Sequence, residues 1–247
     1  MNQGSGILIT PVSALKRVLP PKSDWERYRL PFIVGEEIDV ERYLATLVDM
    51  GYERTGMVAS PGEFSIRGGI IDLYPLTAEF PYRIELFDTE VDSIRTFDSE
   101  TQRSKEKLEQ VMIAPATELL ITEEDFTRAS HRLGEALSHS LKKLTKAEAK
   151  TRLSEVSEHD LERLEQQERF QEMYKYIGFY YDDPANLLDY LPENGIVVMD
   201  EMSRIQETAQ RLDQEEAEWY QRLLEANQIV RDLSISYDWH DVWSKIK

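Results

Sequence analysis

The feature that most constrains the fold of this 247-residue chain is a change of hydrophobic period near residue 52. From there to residue 113, apolar side chains alternate with polar ones, which is the period of a half-buried β-strand. Proline and glycine interrupt the alternation at Pro61-Gly62, Gly68-Gly69 and Pro75, as turns between strands require. The pattern predicts strands at 53–59, 63–67, 70–74, 82–87, 93–98 and 110–114.

A predicted helix precedes this strand-rich stretch. Asp39 can cap it, because a short acidic side chain accepts hydrogen bonds from the first free amides of a helix. Gly51 suits the position just past its end. The apolar residues of one face are Val40, Tyr43, Leu44, Leu47 and Val48. One helix followed by several closely spaced strands indicates a small α+β domain with an antiparallel sheet.

Helical periodicity dominates the second half of the chain. Thr122 and Asp125 have the spacing of a capping box, and charged helical sequence extends from about 123 to 175. Another long helix is expected at about 202–227. The aromatic segment YIGFYYDDP at 176–184 predicts packing in a core or a domain interface rather than a ligand cage.

Two short apolar runs predict buried strands, ILIT at 7–10 and IVVMDE at 196–201. The second run ends in Asp200 and Glu201, as a Walker B strand does, where the first acid holds Mg²⁺ and the second polarises a water. That chemistry needs the phosphate-binding pattern G-x-x-x-x-G-K-[ST], which this sequence lacks. We therefore expect no nucleotide hydrolysis by this chain alone. The alternative is that both acids lie at a helix N-terminus, which favours negative charge.

Both ends of the chain lead us to expect a piece of a longer protein. A predicted buried strand follows the leading MNQGSG almost at once. At the other end, YDWHDVWSKIK stops on a periodic pattern without a helix stop signal.

Composition excludes several classes of function. The net charge of −18 argues against a general nucleic-acid surface, which needs a basic face. The absence of cysteine excludes disulfides, thiolate metal sites and cysteine nucleophiles. The four histidines show no metal-ligand spacing, and no nucleophile–base arrangement stands out. No apolar run approaches membrane-spanning length and no signal peptide is visible, so we expect a soluble, cytoplasmic protein.

The predicted strand YRIELF separates two kinds of side chain. Alternation places Arg83, Glu85 and Phe87 together on the face opposite the core. The segment EFSIR likewise directs Arg67 outward, and the two glycines after it predict a turn or a bulge. An exposed phenylalanine beside arginines is typical of interface centres. The alternative is that a loop covers Phe87 and both arginines make surface ion pairs.

Two long motifs identify a family. GEFSIRGGIIDLYP at 62–75 and PYRIELFDTEVDSIRTFDSETQRS at 81–104 closely resemble the signature shared by the excision-repair protein UvrB and the bacterial transcription-repair coupling factor, Mfd. The resemblance continues through IAPATE and LLDYLPENGIVVMDE and is weaker in the helical stretch.

The acidic motif distinguishes the two relatives. UvrB normally continues it as Asp-Glu-Ser-His, whereas this chain reads Asp200-Glu201-Met202-Ser203-Arg204. That looser form, together with LPPK after the first predicted strand, resembles the coupling factor, and we favour its N-terminal UvrB-like module. The alternative is a fragment of UvrB with a nucleotide-binding, helicase-like domain.

The resemblance implies three structural parts. A partial, degenerate RecA-like α/β domain would comprise residues 1–30 and 176–247. A small α+β domain of the UvrA-binding type would be inserted at 31–116, and a helical subdomain would occupy 117–175.

The resemblance also implies a function, that of a non-catalytic adaptor recruiting UvrA to RNA polymerase stalled at DNA lesions. The full-length family protein is an ATP-dependent DNA translocase that displaces the polymerase. Its motor, which uses ATP and Mg, and its contacts with polymerase and DNA would lie outside this chain, for which no cofactor is expected. In the resting protein, a C-terminal domain is expected to cover the UvrA-binding surface.

By the same resemblance, the UvrA-contacting surface includes Arg67, Arg83 and Phe87, which alternation also directs outward. Arg54 and Arg95 are weaker candidates. The acidic pair that ends IVVMDE would be a vestigial Walker B motif, and no catalytic or metal-binding residue is implied.

Overall fold

The computed structural model describes residues 6–246. It divides into two compact units, which we call the sheet unit, residues 22–120, and the helical unit, residues 6–21 together with 121–246. Most of the leading MNQGSG and the final lysine lie outside the described residues. The combination of helices with an antiparallel sheet agrees with the mixed fold class predicted from the sequence.

The described residues contain helices, strands and two 3₁₀ segments, at Gln171–Tyr176 and Leu187–Tyr190. In chain order the elements are α1 (Val12–Leu15), α2 (Lys22–Arg27), β1 (Leu30–Ile33), α3 (Val40–Asp49), β2 (Glu53–Arg54), β3 (Glu63–Arg67), β4 (Ile70–Leu73), β5 (Tyr82–Phe87), β6 (Glu90–Phe97), β7 (Ser104–Leu108), β8 (Gln110–Ile113), α4 (Glu123–Lys143), α5 (Ala147–Glu165), α6 (Ile177–Tyr180), α7 (Met202–Glu225) and α8 (Trp239–Lys245). The helical unit contains α1 and α4 to α8, and the sheet unit contains the rest.

Six strands of the sheet unit form one sheet in the order β2-β3-β4-β5-β6-β7. Neighbouring strands are antiparallel, except that β2 runs parallel to β3. Strands β1 and β8 pair antiparallel in a separate two-stranded sheet. The strands predicted at 63–67 and 82–87 have the bounds observed for β3 and β5, whereas β2 is much shorter than the predicted 53–59.

The sequence pattern fails to predict β1 and β7. Strand β7 reads SKEKL and lies at the edge of the sheet, almost wholly exposed, so no buried face imposes apolar alternation on it. Strand β1 contains Pro31, which is unfavourable in a central strand. The proline is tolerated because β1 pairs with one strand only, β8, among the described residues.

One face of the six-stranded sheet forms the core of the sheet unit with α3. Alternate strand positions supply its buried side chains: Phe64, Ile71, Leu73, Ile84, Val91 and Ile94. Helix α3 adds Leu47, and its cap is the predicted one, because Asp39 accepts a hydrogen bond from the Arg42 N–H at 3.1 Å. Burying each such apolar side chain contributes about 1.5–3 kcal/mol.

Gly68 and Gly69 form the two-residue turn of the β3–β4 hairpin, since Arg67 pairs directly with Ile70. Gly68 has a φ of +60°, in the left-handed region that glycine adopts without strain. A Cβ on Gly69 would lie 2.7 Å from the carbonyl oxygen of Leu86. The first glycine therefore serves the turn, and the second lets the backbone approach β5 closely.

Helix α4 begins at the predicted capping box. The Thr122 hydroxyl accepts from the Asp125 N–H at 3.2 Å, and the Asp125 carboxylate accepts from the Thr122 N–H at 2.8 Å. The aromatic segment after α5 is buried, as predicted, and Tyr180 packs edge-to-face on Phe126 of α4 with their ring centroids 6.2 Å apart. Its carbonyl oxygen accepts a hydrogen bond from Arg128.

A buried lysine joins distant segments of the helical unit. Lys16, just after α1, lies with its Nζ 2.6 Å from Asp213 and 3.0 Å from Glu216, both on α7. Ser236 also donates a hydrogen bond to Glu216. Burial lowers the pKa of Lys16, but the hydrogen bonds to the two carboxylates outweigh it and leave this pKa above its ordinary value.

Two strand predictions are wrong. The ILIT and IVVMDE segments have no strand structure, and Ile7, Ile9, Ile196 and Val198 are each at least 84% exposed. No strand lies beside either segment among residues 6–246, so their backbone groups lack the partners that a strand requires. None of the described helices has the length and apolar character needed to cross a membrane.

Candidate functional site

The face of the six-stranded sheet opposite the core is polar, and strand register arranges its residues in two rows. One row contains Ser65, Asp72, Arg83, Arg95 and Lys107. The adjacent row contains Arg67, Ile70, Glu85 and Ser93. Residues paired across neighbouring strands share a face, with Cβ atoms about 4.5–5.5 Å apart, so side chains within a row are neighbours. We call these two rows the polar face.

Asp72 lies within the polar face, and its side chain is only 1% exposed. Arg83 donates to it twice, from Nε to Oδ1 at 2.7 Å and from Nη2 to Oδ2 at 2.8 Å. Arg67 donates from Nη2 to Oδ2 at 2.9 Å. A buried carboxylate is tolerated when it is paired and hydrogen-bonded in this way. Asp72 thus connects two of the three residues that the sequence predicts as a binding surface.

Arg83 is more buried than alternation alone indicates, with 16% of its side chain exposed. Its guanidinium carbon lies 4.4 Å from the centroid of the Phe97 ring, and its Nη2 also donates to Oε1 of Gln102 at 2.9 Å. The hydrogen bonds to Asp72 raise the pKa of Arg83 above its ordinary value, against the opposing effect of burial. Arg83 therefore presents only a small part of its side chain to a partner.

Arg67 and Phe87 are the accessible members of the predicted set. Arg67 ends β3 with 51% of its side chain exposed, and Phe87 ends β5 with 77% of the residue exposed. Strands β3 and β5 run in the same direction because each is antiparallel to β4, which lies between them. Arg67 aligns with Glu85 through Ile70, so Phe87 lies two interstrand spacings, about 10 Å, to the side of Arg67 and two residues further along the strand direction. Both residues therefore lie toward the same end of the sheet.

These positions agree with part of each alternative for the face. Both arginines do make ion pairs, through the same buried carboxylate. Phe87, however, is not covered by a loop of the described chain. An exposed aromatic side chain thus lies toward the same end of the sheet as Arg67, which pairs with Asp72.

The weaker candidates have different surroundings. Arg95 belongs to the polar face and pairs with Glu85 at 2.8 Å, while its Nε is buried without a hydrogen-bond partner in the described chain. Arg54 lies opposite Phe64 in register, and the Phe64 side chain is in the core. Arg54 is exposed but does not share the polar face.

Sequence reasoning missed Asp72, the buried carboxylate that both Arg67 and Arg83 contact. The signal was present, because a lone acid stands in the otherwise apolar run IIDL. If the two glycines form a turn, alternation along β4 places Asp72 on the same face of the sheet as Arg67. The contribution of Gln102 had no comparable signal, because it comes from the β6–β7 turn.

Asp200 and Glu201, the predicted vestigial Walker B pair, lie exposed at the start of α7. Glu201 is the residue that precedes the helix, has a φ of 55° and pairs with Arg204 at 2.9 Å. Acids at a helix N-terminus are the alternative that the sequence left open. The Walker B assignment stays a prediction.

Three side chains near α8 have a geometry that could hold a metal ion. Asp238, His240 and Asp241 present ligand atoms within 4.8 Å of one another, and all three are exposed. Asp238 already accepts a hydrogen bond from the Asp241 N–H at 2.9 Å as the cap of α8. Exposed acidic groups commonly lie this close without a metal, and the sequence assigns no metal role to them.

Comparison with known proteins connects this geometry to a family. Residues 30–119, which contain the whole polar face, match the family model of the UvrB interaction domain. The chain is 46% identical over 246 residues to the transcription-repair-coupling factor of Bacillus subtilis strain 168, which covers 100% of this chain and 21% of the relative. Over its whole length the chain is therefore similar to a transcription-repair-coupling factor.

Coupling factors of Staphylococcus aureus strains MRSA252 and NCTC 8325 are each 39% identical over 236 residues, covering 94% of this chain and 20% of each relative. The chain therefore spans about a fifth of the length of the coupling factors it matches. Similarity along nearly the whole chain confirms the resemblance to the coupling factor that the acidic motif favoured over UvrB.

Proposed function

We propose that the sheet unit docks UvrA and that the chain is a non-catalytic adaptor in transcription-coupled nucleotide excision repair. The observation that carries the proposal is Phe87, which is 77% exposed at the end of β5, toward the same end of the sheet as Arg67. Aromatic and arginine side chains are enriched among the residues that dominate binding energy. The match to the UvrB interaction domain supports the choice of UvrA as the partner.

The charge of the polar face also supports a protein partner. Although the chain carries a net charge of −18, the basic side chains of this face outnumber the acidic ones. Its basic members are Arg67, Arg83, Arg95 and Lys107. A local basic face on an acidic chain suits a partner surface with carboxylates, because complementary potentials favour the correct encounter.

For the whole coupling factor we propose the role that the family resemblance implies. It would recruit UvrA to RNA polymerase stalled at a DNA lesion and displace the polymerase with an ATP-driven DNA translocase. The motor with its ATP and Mg, and the contacts with polymerase and DNA, would lie outside this chain, for which we propose no cofactor. A C-terminal domain of the same cytoplasmic protein would cover the docking surface at rest.

The three-part division with a degenerate RecA-like domain at 1–30 and 176–247, a docking domain at 31–116 and helices at 117–175 also remains our proposal. The exposed ILIT and IVVMDE segments support it, since both have strand-like composition. Such segments gain stability only beside other strands, which the rest of a RecA-like sheet would supply.

Calorimetric titration of UvrA with the chain tests the docking proposal. Phe87→Ala and Arg67→Ala are each expected to weaken binding about 30-fold, equivalent to about 2 kcal/mol. Leu76→Ala and Arg29→Ala are matched controls, because both residues are exposed in the sheet unit but lie outside the polar face. Undiminished binding by both folded site variants would reject the proposal.

The non-catalytic part of the proposal has a separate test. A fluorescent ATP analogue with Mg²⁺ is expected not to bind the chain, because the sequence contains no phosphate-binding loop. Saturable binding that Asp200→Ala abolishes would contradict this part and restore a nucleotide-binding role for the acidic pair.

A further inference from the structure

We infer that Asp72 is the positioning residue of the docking surface, and that its buried carboxylate holds Arg67 and Arg83 in the orientation in which they meet a partner. The inference rests on the docking function proposed above. At 1% exposure the Asp72 side chain is closed to any partner. Asp72 can therefore affect docking only indirectly, through the two arginines that are hydrogen-bonded to it.

The two arginines depend on Asp72 to different degrees. Arg83 donates to both carboxylate oxygens through Nε and Nη2, and this bidentate interaction fixes the plane of its guanidinium group. It has further support from Gln102 and from the ring of Phe97. Removing the carboxylate therefore leaves Arg83 partly held.

Arg67 has no such support. Its Nη2 bond to Asp72 is the single side-chain hydrogen bond found for it in the described chain, and half of the side chain is exposed. A long side chain without that bond samples many rotamers, and a partner would have to order it at a cost in affinity. The influence of Asp72 on docking is thus exerted mainly through Arg67.

The balance of charge around Asp72 indicates which chemical group of a partner Arg67 binds. One carboxylate shared by two guanidinium groups leaves positive charge uncompensated, and the donors on Nε and Nη1 of Arg67 have no partner in the described chain. Guanidinium groups match carboxylates in geometry as well as in charge. Asp72 therefore presents Arg67 to a carboxylate of the partner, with the aromatic ring of Phe87 at the same end of the sheet.

Conservative substitution of Asp72 tests this role. Asp72→Asn keeps the side-chain shape, and the folded variant is expected to bind UvrA about tenfold more weakly. Asp39→Asn is the matched control, because Asp39 also accepts a hydrogen bond in the sheet unit but caps α3 outside the polar face, and its binding is expected to be unchanged. A folded Asp72→Asn protein that binds as tightly as the Asp39→Asn control overturns the inference.

A double-mutant cycle separates positioning from a general structural effect. In an Arg67→Ala background, Asp72→Asn is expected to weaken binding less than about threefold, because the side chain through which it acts is gone. A tenfold loss that persists in this background overturns the inference. Asp160→Asn, at a buried carboxylate of the helical unit that pairs with Lys175, lowers stability without touching the polar face and is expected to leave binding unchanged.

Two further measurements keep the test decisive if Asp72→Asn fails to fold or if UvrA fails to bind. Arg67→Lys retains the charge but cannot offer a planar guanidinium group to a carboxylate, and is expected to weaken binding about tenfold, whereas unchanged binding overturns the inference. If UvrA does not bind the unsubstituted chain, the docking proposal fails, yet NMR still reports on positioning. The Arg83 Nε–H is expected to exchange slowly with solvent, and faster in Asp72→Asn; equal rates overturn the inference.

Discussion

The guanidinium carbon of Arg83 lies 4.4 Å from the centroid of the Phe97 ring, which is fully buried. A cation over an aromatic ring is stabilised by the charge distribution of the ring, and more strongly when both are withdrawn from water. This contact, together with Asp72, explains how a charged side chain can lie in the sheet with little exposure. It joins the polar face to the interior of the sheet unit.

Phe97→Leu is therefore expected to lower the free energy of unfolding by about 2–4 kcal/mol, through a smaller buried side chain and the lost contact with Arg83. Phe64→Leu is the matched control, because Phe64 is also buried but no cation lies over its ring in the described chain. Its loss is expected to be smaller by about 1 kcal/mol. Denaturant unfolding measures both, and equal losses would show that the contact contributes nothing.

The two glycines of the β3–β4 turn are expected to differ in their tolerance of alanine. Gly68→Ala is expected to cost about 1 kcal/mol, because the backbone is left-handed there but the space is open. Gly69→Ala is expected to cost more than about 2 kcal/mol, because its Cβ would lie 2.7 Å from the Leu86 carbonyl oxygen. Thermal unfolding ranks the two variants, and the reverse order would contradict the close approach to β5.

Ser65→Ala is expected to cause no loss of stability. Its hydroxyl is buried in the polar face and has no hydrogen-bond partner in the described chain. Removing an unsatisfied hydroxyl is expected to leave the free energy of unfolding unchanged or raise it by up to about 1 kcal/mol. Ser140→Ala provides the contrast, since that hydroxyl donates to the Ala136 carbonyl at 2.7 Å and accepts from the Arg231 N–H at 2.9 Å. A loss of about 1–2 kcal/mol is expected there.

Tyr237 is expected to make stability fall at alkaline pH. Burial, helped by nearby carboxylates, raises the pKa of this tyrosine from 10.0 to about 12. A raised pKa means that the folded state favours the neutral form, so the contribution is complete below pH 10 and is lost as the pH rises towards 12. Tyr237→Phe cannot ionise, and its free energy of unfolding is expected to decline less steeply over that range.

The difference between the two declines is expected to be about 1 kcal/mol, because partial exposure to solvent screens the effect. Denaturant unfolding at pH 8, 10 and 12 measures it. Below pH 10 the variant is expected to be less stable by about 1 kcal/mol, since the hydroxyl donates to the Pro184 carbonyl. Parallel declines in the two proteins would exclude a contribution from this side chain.

The alternation of side chains in the sequence predicts on which face of the sheet a strand residue lies, but not how deeply it is buried. Alternation placed Arg83 and Phe87 on the same side of β5, and the structure does so. It gave no sign that Arg83 lies beneath its neighbours while Phe87 is exposed, because depth depends on residues from other strands and from the β6–β7 turn. Asp72 was overlooked for the same reason, since its interactions form only once three strands pair.

Apolar composition led to wrong strand predictions in two segments that have no neighbouring strand in the described residues. The ILIT and IVVMDE segments have the composition of buried strands, yet their side chains are exposed. Helix caps were predicted well, because Asp39 and the pair Thr122–Asp125 act within one turn of their own helix. Local interactions can be predicted from the sequence, whereas burial by a distant segment cannot.

The ion pair between Lys16 and Glu216 spans 200 residues of sequence. During translation at about 5–20 residues per second, Lys16 is added to the chain some 10–40 s before its partner on α7. The sheet unit is continuous in sequence and emerges completely within that interval. All strands of the polar face are thus synthesised before the two carboxylates with which Lys16 pairs.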